Sequence, residues 1–169
     1  MKMMNNLAIE TLMNMYYEED FSHYQLREIE EGLLRGLDVS VYAHRYFLSD
    51  QMKLIRKGLE KGYDEGLDIS LYANPAFNSN QMFQIMYGLE NNVDASKYAF
   101  VEYNHVIMSV IYHLLKNGAH FNKYIIEDHL DVDKLMNDYE LLIRYKGFSR
   151  LDKWAIDMIY DGAPYYVKQ

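Results

Sequence analysis

The chain has no cysteine, two prolines, nine glycines and one tryptophan among 169 residues, and 17 Lys and Arg stand against 25 Asp and Glu. Each shortage excludes something. Without cysteine there is no disulfide framework, no cysteine-ligated zinc and no thiol nucleophile, and the setting expected is the reducing cytoplasm. So little proline and glycine suits helices joined by tight turns better than a sandwich of short strands. A formal charge of −8 makes the average surface repel a phosphate backbone, so direct nonspecific nucleic-acid binding is not expected. Long apolar runs are missing too. The stretch MKMMNNLAIETLMNMYYEED turns acidic before it is long enough for a signal peptide or membrane span, and no membrane partner is expected. No Gly-rich phosphate loop, His-Glu-x-x-His helix, nucleophile elbow or EF-hand spacing occurs. The expectation is therefore a protein that is not an enzyme and holds no cofactor or metal.

What is present is repetitive. Half of the residues are apolar or aromatic, 11 Met and 17 Tyr among them, enough for one continuous core. Residues 21–43, FSHYQLREIEEGLLRGLDVSVYA, and residues 77–99, FNSNQMFQIMYGLENNVDASKYA, align without gaps. Residues 47–73, FLSDQMKLIRKGLEKGYDEGLDISLYA, keep the same order with four extra residues before Leu-Asp-Ile-Ser. A weaker fourth copy runs from Tyr103 to Tyr124. The copies start at 21, 47, 77 and 103.

Each copy reads as one helix followed by a tight turn. Ser22 with Gln25 and Asn78 with Gln81 match the capping box, and Asn104 caps with Ile107 where the polar answer would be. Leu48 has no capping side chain, which leaves Ser49 or Asp50 to cap the second copy. Apolar residues recur at helical spacing: Leu26, Ile29, Leu33; Met52, Ile55, Leu59; Met82, Ile85, Leu89; Met108, Ile111, Leu115. Left-handed residues are expected to end the helices at Gly36, Asn92 and Gly118, and at Gly62 or Gly66 in the copy with the insertion. The Leu-Asp-Val-Ser-Val-Tyr-Ala segment is too short for a second full helix and predicts one short helical turn. Its tyrosines, Tyr42, Tyr72, Tyr98 and Tyr124, read as a core ladder rather than a stacking platform for bases. Gly32, Gly58 and Gly88 each cost about 1 kcal/mol relative to Ala inside a helix, and close approach of a neighbouring backbone is the expected compensation. Leu114 replaces that glycine in the fourth copy, where the packing should differ.

The fold expected is all-α: tandem helical repeats in one short solenoid-like domain. Residues 1–20 form an N-terminal capping helix carrying Leu7, Ile9, Leu12, Met13 and Tyr16. Four repeats cover 21–46, 47–76, 77–102 and 103–128. Degenerate repeats over 129–169, with a second cap pair at Ser149 and Asp152, close the C-terminal end. The whole is one structural unit. The pattern Phe-x-x-x-Gln-Met-x-x-Ile-x-x-Gly-Leu-x-x-Gly-Leu-Asp-Val-Ser-x-Tyr-Ala resembles short repeats found in uncharacterised proteins of Firmicutes and of their phages and mobile elements. The resemblance covers roughly residues 21–124, with departures at the Phe-Leu-Ser-Asp-Gln of the second copy and at Ile107. It implies a helical-repeat fold and a mobile-element origin, and supplies no catalytic residues.

Catalytic chemistry has one candidate cluster. Glu127, Asp128, His129, Asp131 and Asp133, joined by His113 and His120, are the carboxylates and imidazoles that a divalent cation or a proton relay requires. The same run reads as a solvated turn whose acids favour the dipole of the following helix. Lys53, Arg56, Lys57 and Lys61, interrupted by Glu60, read chiefly as a solvated face, with phosphate or an acidic partner as the alternative.

Partner binding is the stronger expectation. Positions away from the apolar stripe change character from copy to copy: Glu30 and Glu31, Arg56 and Lys57, Met86 and Tyr87, Tyr112 and His113. Solenoids bind through such positions, and Tyr and Met suit interface cores. Burial of the later helices on both sides by the C-terminal block is the competing explanation. The function expected is a protein–protein interaction module. Its narrower form is a phage- or mobile-element-encoded, anti-CRISPR-like inhibitor, whose acidic surface occupies the basic channel of a host nucleic-acid-processing effector. The runner-up is a structural or homo-oligomeric scaffold that self-associates through Met86 and Tyr87. A metal-dependent enzyme at the His129 cluster is the third reading.

Overall fold

The computed structural model describes residues 6–65 and 67–146. Among them the protein is mostly helical, in the order α1 (Asn6–Tyr17), α2 (His23–Leu34), η1 (Val39–Val41), α3 (Ser49–Glu65), η2 (Ile69–Leu71), α4 (Ser79–Glu90), η3 (Ala95–Lys97), α5 (His105–Lys116), η4 (Phe121–Tyr124), β1 (Ile125–Ile126), β2 (His129–Leu130) and α6 (Val132–Lys146), where η marks a 3-10 turn. Each α-helix packs against the next in the chain, from α1 on α2 to α5 on α6. No helix among the described residues is long and apolar enough to cross a membrane.

The caps explain where the helices begin. Ser22 with Gln25 and Asn78 with Gln81 form complete capping boxes, and the Asn104 side chain accepts from the Val106 and Ile107 amides. The second copy departs from expectation, because neither Ser49 nor Asp50 caps it. α3 starts at Ser49, the Leu48 carbonyl accepts from the Met52 amide, and Gln51 Oε1 accepts from the Leu48 amide at 2.6 Å. Half of the capping box therefore persists without a capping side chain.

The ends are as legible. Gly36, Asn92 and Gly118 hold φ of 67°, 56° and 86°, the left-handed geometry that closes a helix. Gly62 ends nothing: α3 continues through it to Glu65, so the insertion lengthens the helix. Gly66 lies outside the described residues. After each of the first three repeat helices an aspartate, Asp38, Asp68 or Asp94, accepts from the amide two residues on and nucleates the 3-10 turn.

The apolar stripes meet in one core. Ile29, Ile55, Ile85 and Ile111 are buried, each contributing about 1.5–3 kcal/mol by the area it removes from water. Leu26, Leu33, Leu59, Leu89 and Leu115 flank them, wholly or partly buried. α1 covers one side of α2 with Ile9 and Met13, while Leu7 is exposed.

Tyr42, Tyr72, Tyr98 and Tyr124 are fully buried, and they account for the glycines. An added Cβ at Gly32, Gly58 or Gly88 would lie 1.9, 1.8 or 1.7 Å from the hydroxyl of Tyr42, Tyr72 or Tyr98. The close approach is thus made by a side-chain hydroxyl of the same copy and not by a neighbouring backbone. Each hydroxyl donates to a carbonyl of its own helix, that of Glu28, Leu54 or Gln84. Where Leu114 fills the space, the Tyr124 hydroxyl turns to α6 and donates to Asp138 Oδ2 at 3.1 Å.

The C-terminal part adds a hairpin that the all-helical expectation lacks. Ile125 pairs with Leu130 and Ile126 with His129, antiparallel, around Glu127 and Asp128 at φ of 48° and 63°. Positive φ at both central residues is the turn that matches strand twist, and it is normally built from Asn and Gly. Asp131 then accepts from the Lys134 amide and opens α6, whose Leu135, Met136 and Tyr139 close the core. The Ser149–Asp152 cap pair lies outside the described residues.

Candidate interaction surfaces

The capping glutamines do more than cap. Gln25 Nε2 donates to the carbonyls of Arg45 and Phe47, Gln51 Nε2 to those of Pro75 and Phe77, and Gln81 Nε2 to those of Val101 and Tyr103. One buried amide thereby caps its own helix and fastens the loop leading into the next. The fastened loops carry His44-Arg45-Tyr46, Asn74-Pro75-Ala76 and Phe100-Val101-Glu102, all exposed. Their backbones close alike, with the Phe47, Phe77 and Tyr103 amides donating to His44, Asn74 and Phe100. A constant, pinned backbone presents three unlike sets of side chains. Sequence reasoning passed over these triplets, although their place between two invariant aromatic positions was the available signal.

The helix positions expected to face a partner divide in two. Arg56, Met86 and Tyr112 are buried, which corrects the expectation of a surface through them. They occupy one repeat position, and Arg56 and Tyr112 each meet, on the preceding helix, the residue that precedes them in the variable set. Arg56 Nη2 lies 2.7 Å from Glu31 Oε2 and 2.8 Å from Glu28 Oε2, and the Tyr112 and Tyr87 rings stand 5.0 Å apart. Change between copies at these positions is therefore matched helix to helix, ionic between α2 and α3 and aromatic between α4 and α5. Burial lowers the proton affinity of the Arg56 guanidinium, but the hydrogen bonds with Glu28 and Glu60 and the charges of Glu28 and Glu31 more than reverse it. Burial and a hydrogen bond with Tyr87 push the Tyr112 hydroxyl up to about 12. His113 is partly buried and stacks on Tyr139 of α6.

Glu30, Lys57 and Tyr87 remain exposed, and Glu31 is partly so. Lys57 and Tyr87 belong to an outward ridge completed four residues earlier by Lys53 and Phe83, also exposed. Phe83 and Tyr87 stack at 6.0 Å with planes 15° apart. Phe83 was missed in the sequence, though its spacing from Tyr87 puts both on one face. The equivalent pair on α2, Arg27 and Glu31, is an ion pair. Cross-helix pairs Arg35–Glu60 and Lys61–Glu90 fix α3 against α2 and α4 at one repeat position, so the basic stretch on α3 splits into paired Arg56 and Lys61 and outward Lys53 and Lys57.

The acidic cluster is dispersed. Glu127 and Asp128 form the hairpin turn, a His129 ring nitrogen meets the Glu127 carbonyl, and Asp131 caps α6. Among the described residues no three His, Asp or Glu side chains come together to hold a metal ion. Comparison with protein-family models, with curated proteins and with solved structures gives no match to this chain.

Proposed function

We propose that the chain is a non-enzymatic protein–protein interaction module: a short helical-repeat solenoid, bounded by α1 and α6, that shows a row of variable loops to a protein partner. The row of triplets at 44–46, 74–76 and 100–102 carries this reading. Pinning a loop backbone lowers the ordering cost of binding, and varying only its exposed side chains is how a scaffold acquires specificity. In its narrower form the partner is a host nucleic-acid-processing defence complex and the chain a mobile-element-encoded inhibitor of it. The −8 charge and the exposed Asp38, Asp68 and Asp94 at successive turns favour a basic partner.

The test is affinity capture from the source cell with the native chain and with a variant carrying Ser at Arg45, Tyr46, Phe100 and Val101. A partner held by the native chain and released from a variant of unchanged melting supports the proposal. Retention by both refutes the loops as its site. For the narrower form the captured complex should process nucleic acid and should weaken steeply with salt, since exposed charges are screened over about 8–10 Å. The scaffold reading draws on Phe83 and Tyr87 in place of buried Met86, and mass in solution separates it: a stable oligomer that loses its size on Tyr87→Ala favours self-association.

A further inference from the structure

The outward ridge on α3 and α4 sets two exposed lysines beside two exposed aromatic rings. Lys53 and Lys57, one helical turn apart, are exposed and meet no carboxylate within ion-pair distance. The basic residues beside them on the same helix are paired, Arg56 with Glu28, Glu31 and Glu60, and Lys61 with Glu90. At the same repeat positions on the adjoining helix stand Phe83 and Tyr87, 46% and 39% exposed. Packed helices lie about 8–10 Å apart, so two free cations and two stacked rings form adjacent, parallel rows with the same one-turn spacing.

We infer that this ridge receives an acidic amphipathic helix of a partner protein, an inference that rests on the interaction-module reading and not on its narrower form with a basic partner, and that specifies the chemistry of the segment bound at the ridge. Carboxylates at i and i+4 on such a helix repeat at the spacing of Lys53 and Lys57, and its apolar side chains lie against Phe83 and Tyr87. The lysines need no counter-charge to be stripped away before binding, because none is in place. A nucleic acid fits less well. The two rings are already in contact at 6.0 Å, leaving no slot for a base between them, and the net charge of −8 opposes a phosphate chain beyond the lysines.

The experiment is selection on the full chain from a library of helical peptides randomised along one face, with affinities then measured for the native protein and two double variants. Enriched peptides should carry Asp or Glu four residues apart beside Leu or an aromatic residue. Their affinity should fall about tenfold or more on Lys53→Glu with Lys57→Glu, as for lost complementary charge pairs. It should fall comparably on Phe83→Ala with Tyr87→Ala, with helicity kept in both variants and melting unchanged in the lysine variant, since the Tyr87 ring also packs on Tyr112. Enriched peptides whose binding survives both double variants overturn the ridge as the site. If those peptides are lost instead from the loop variant, the interaction module stands without the ridge. A library that yields no binder, while a cell-derived partner is held through the loops, overturns the ridge alone. No binder and no partner overturns both. Binding of an oligothymidylate, or self-association, that is abolished by the lysine substitutions assigns the ridge to nucleic acid or to a second copy and refutes the acidic helix.

Discussion

A tyrosine hydroxyl occupies the space of a glycine Cβ three times in this chain, and the substitution of one atom should report on each. At Gly88 the added Cβ would meet the Tyr98 hydroxyl at 1.7 Å and its Cζ at 3.0 Å. Gly88→Ala should therefore destabilise by about 1–3 kcal/mol through overpacking, although Ala is otherwise the better helix former by about 1 kcal/mol. In a Tyr98→Phe background the hydroxyl contact is gone and only the 3.0 Å approach of Cζ is left, so the same change should cost much less, as read by urea unfolding of the four proteins. The recurrence of the glycines was legible in the sequence, but its cause was not, because a pattern gives the position of a small residue and not the identity of what fills the space. Arg56 teaches the same lesson. Its period placed it off the apolar stripe, yet the flank of a helix within a row is covered by its neighbour, and only the packing reveals the Glu28 and Glu31 carboxylates waiting there. Arg56→Met should cost about 3–5 kcal/mol, because buried Glu28 is left unpaired. Adding Glu28→Leu should recover most of the loss. A cost no larger than that of an exposed ion pair would contradict this account of the site.

Between one helix and the next, the glutamine amide joins two tasks that one substitution can separate. Gln51→Glu keeps an oxygen to accept from the Leu48 amide but removes the donor to the Pro75 and Phe77 carbonyls. The helix start should survive, while stability falls by about 1–3 kcal/mol for carbonyls left facing a carboxylate. Amide exchange over 74–77 should quicken, and hydrogen-exchange mass spectrometry reads both effects. Unchanged exchange there would mean the amide only caps. Helix starts, stops and the 3-10 turns were largely legible, since Ser22, Asn78, Asn104, Gly36, Asn92 and Gly118 carry their signals locally. Leu48 and Gly62 were not. The first works through a glutamine three residues on, and the second sits in an insertion that simply extends α3. The hairpin at 125–130 escaped notice because its turn, Glu127-Asp128, lacks the glycine that usually marks two successive positive φ values.

For the molecule as a whole, the buried tyrosines set an alkaline limit. Burial raises the hydroxyls of Tyr42, Tyr72 and Tyr98 well above the ordinary 10.0. A folded pKa above the unfolded one means that the unfolded chain gives up its protons first. The stability these groups carry is whole below pH 10 and is lost as pH rises toward their folded values. Tyrosinate absorbance from the buried set should appear only in the step in which helical circular dichroism collapses. Ionisation of every tyrosine with helicity intact would place the ladder at the surface. If the pinned loops carry partner specificity, exchanging two of them should abolish it. Swapping His44-Arg45-Tyr46 with Phe100-Val101-Glu102 keeps every residue of the chain and both pinned backbones, so the melting temperature should move by no more than a few degrees, as for surface changes within about 0.5 kcal/mol. Partner capture should be lost. Capture retained at native strength by a well-folded exchange variant would contradict the account.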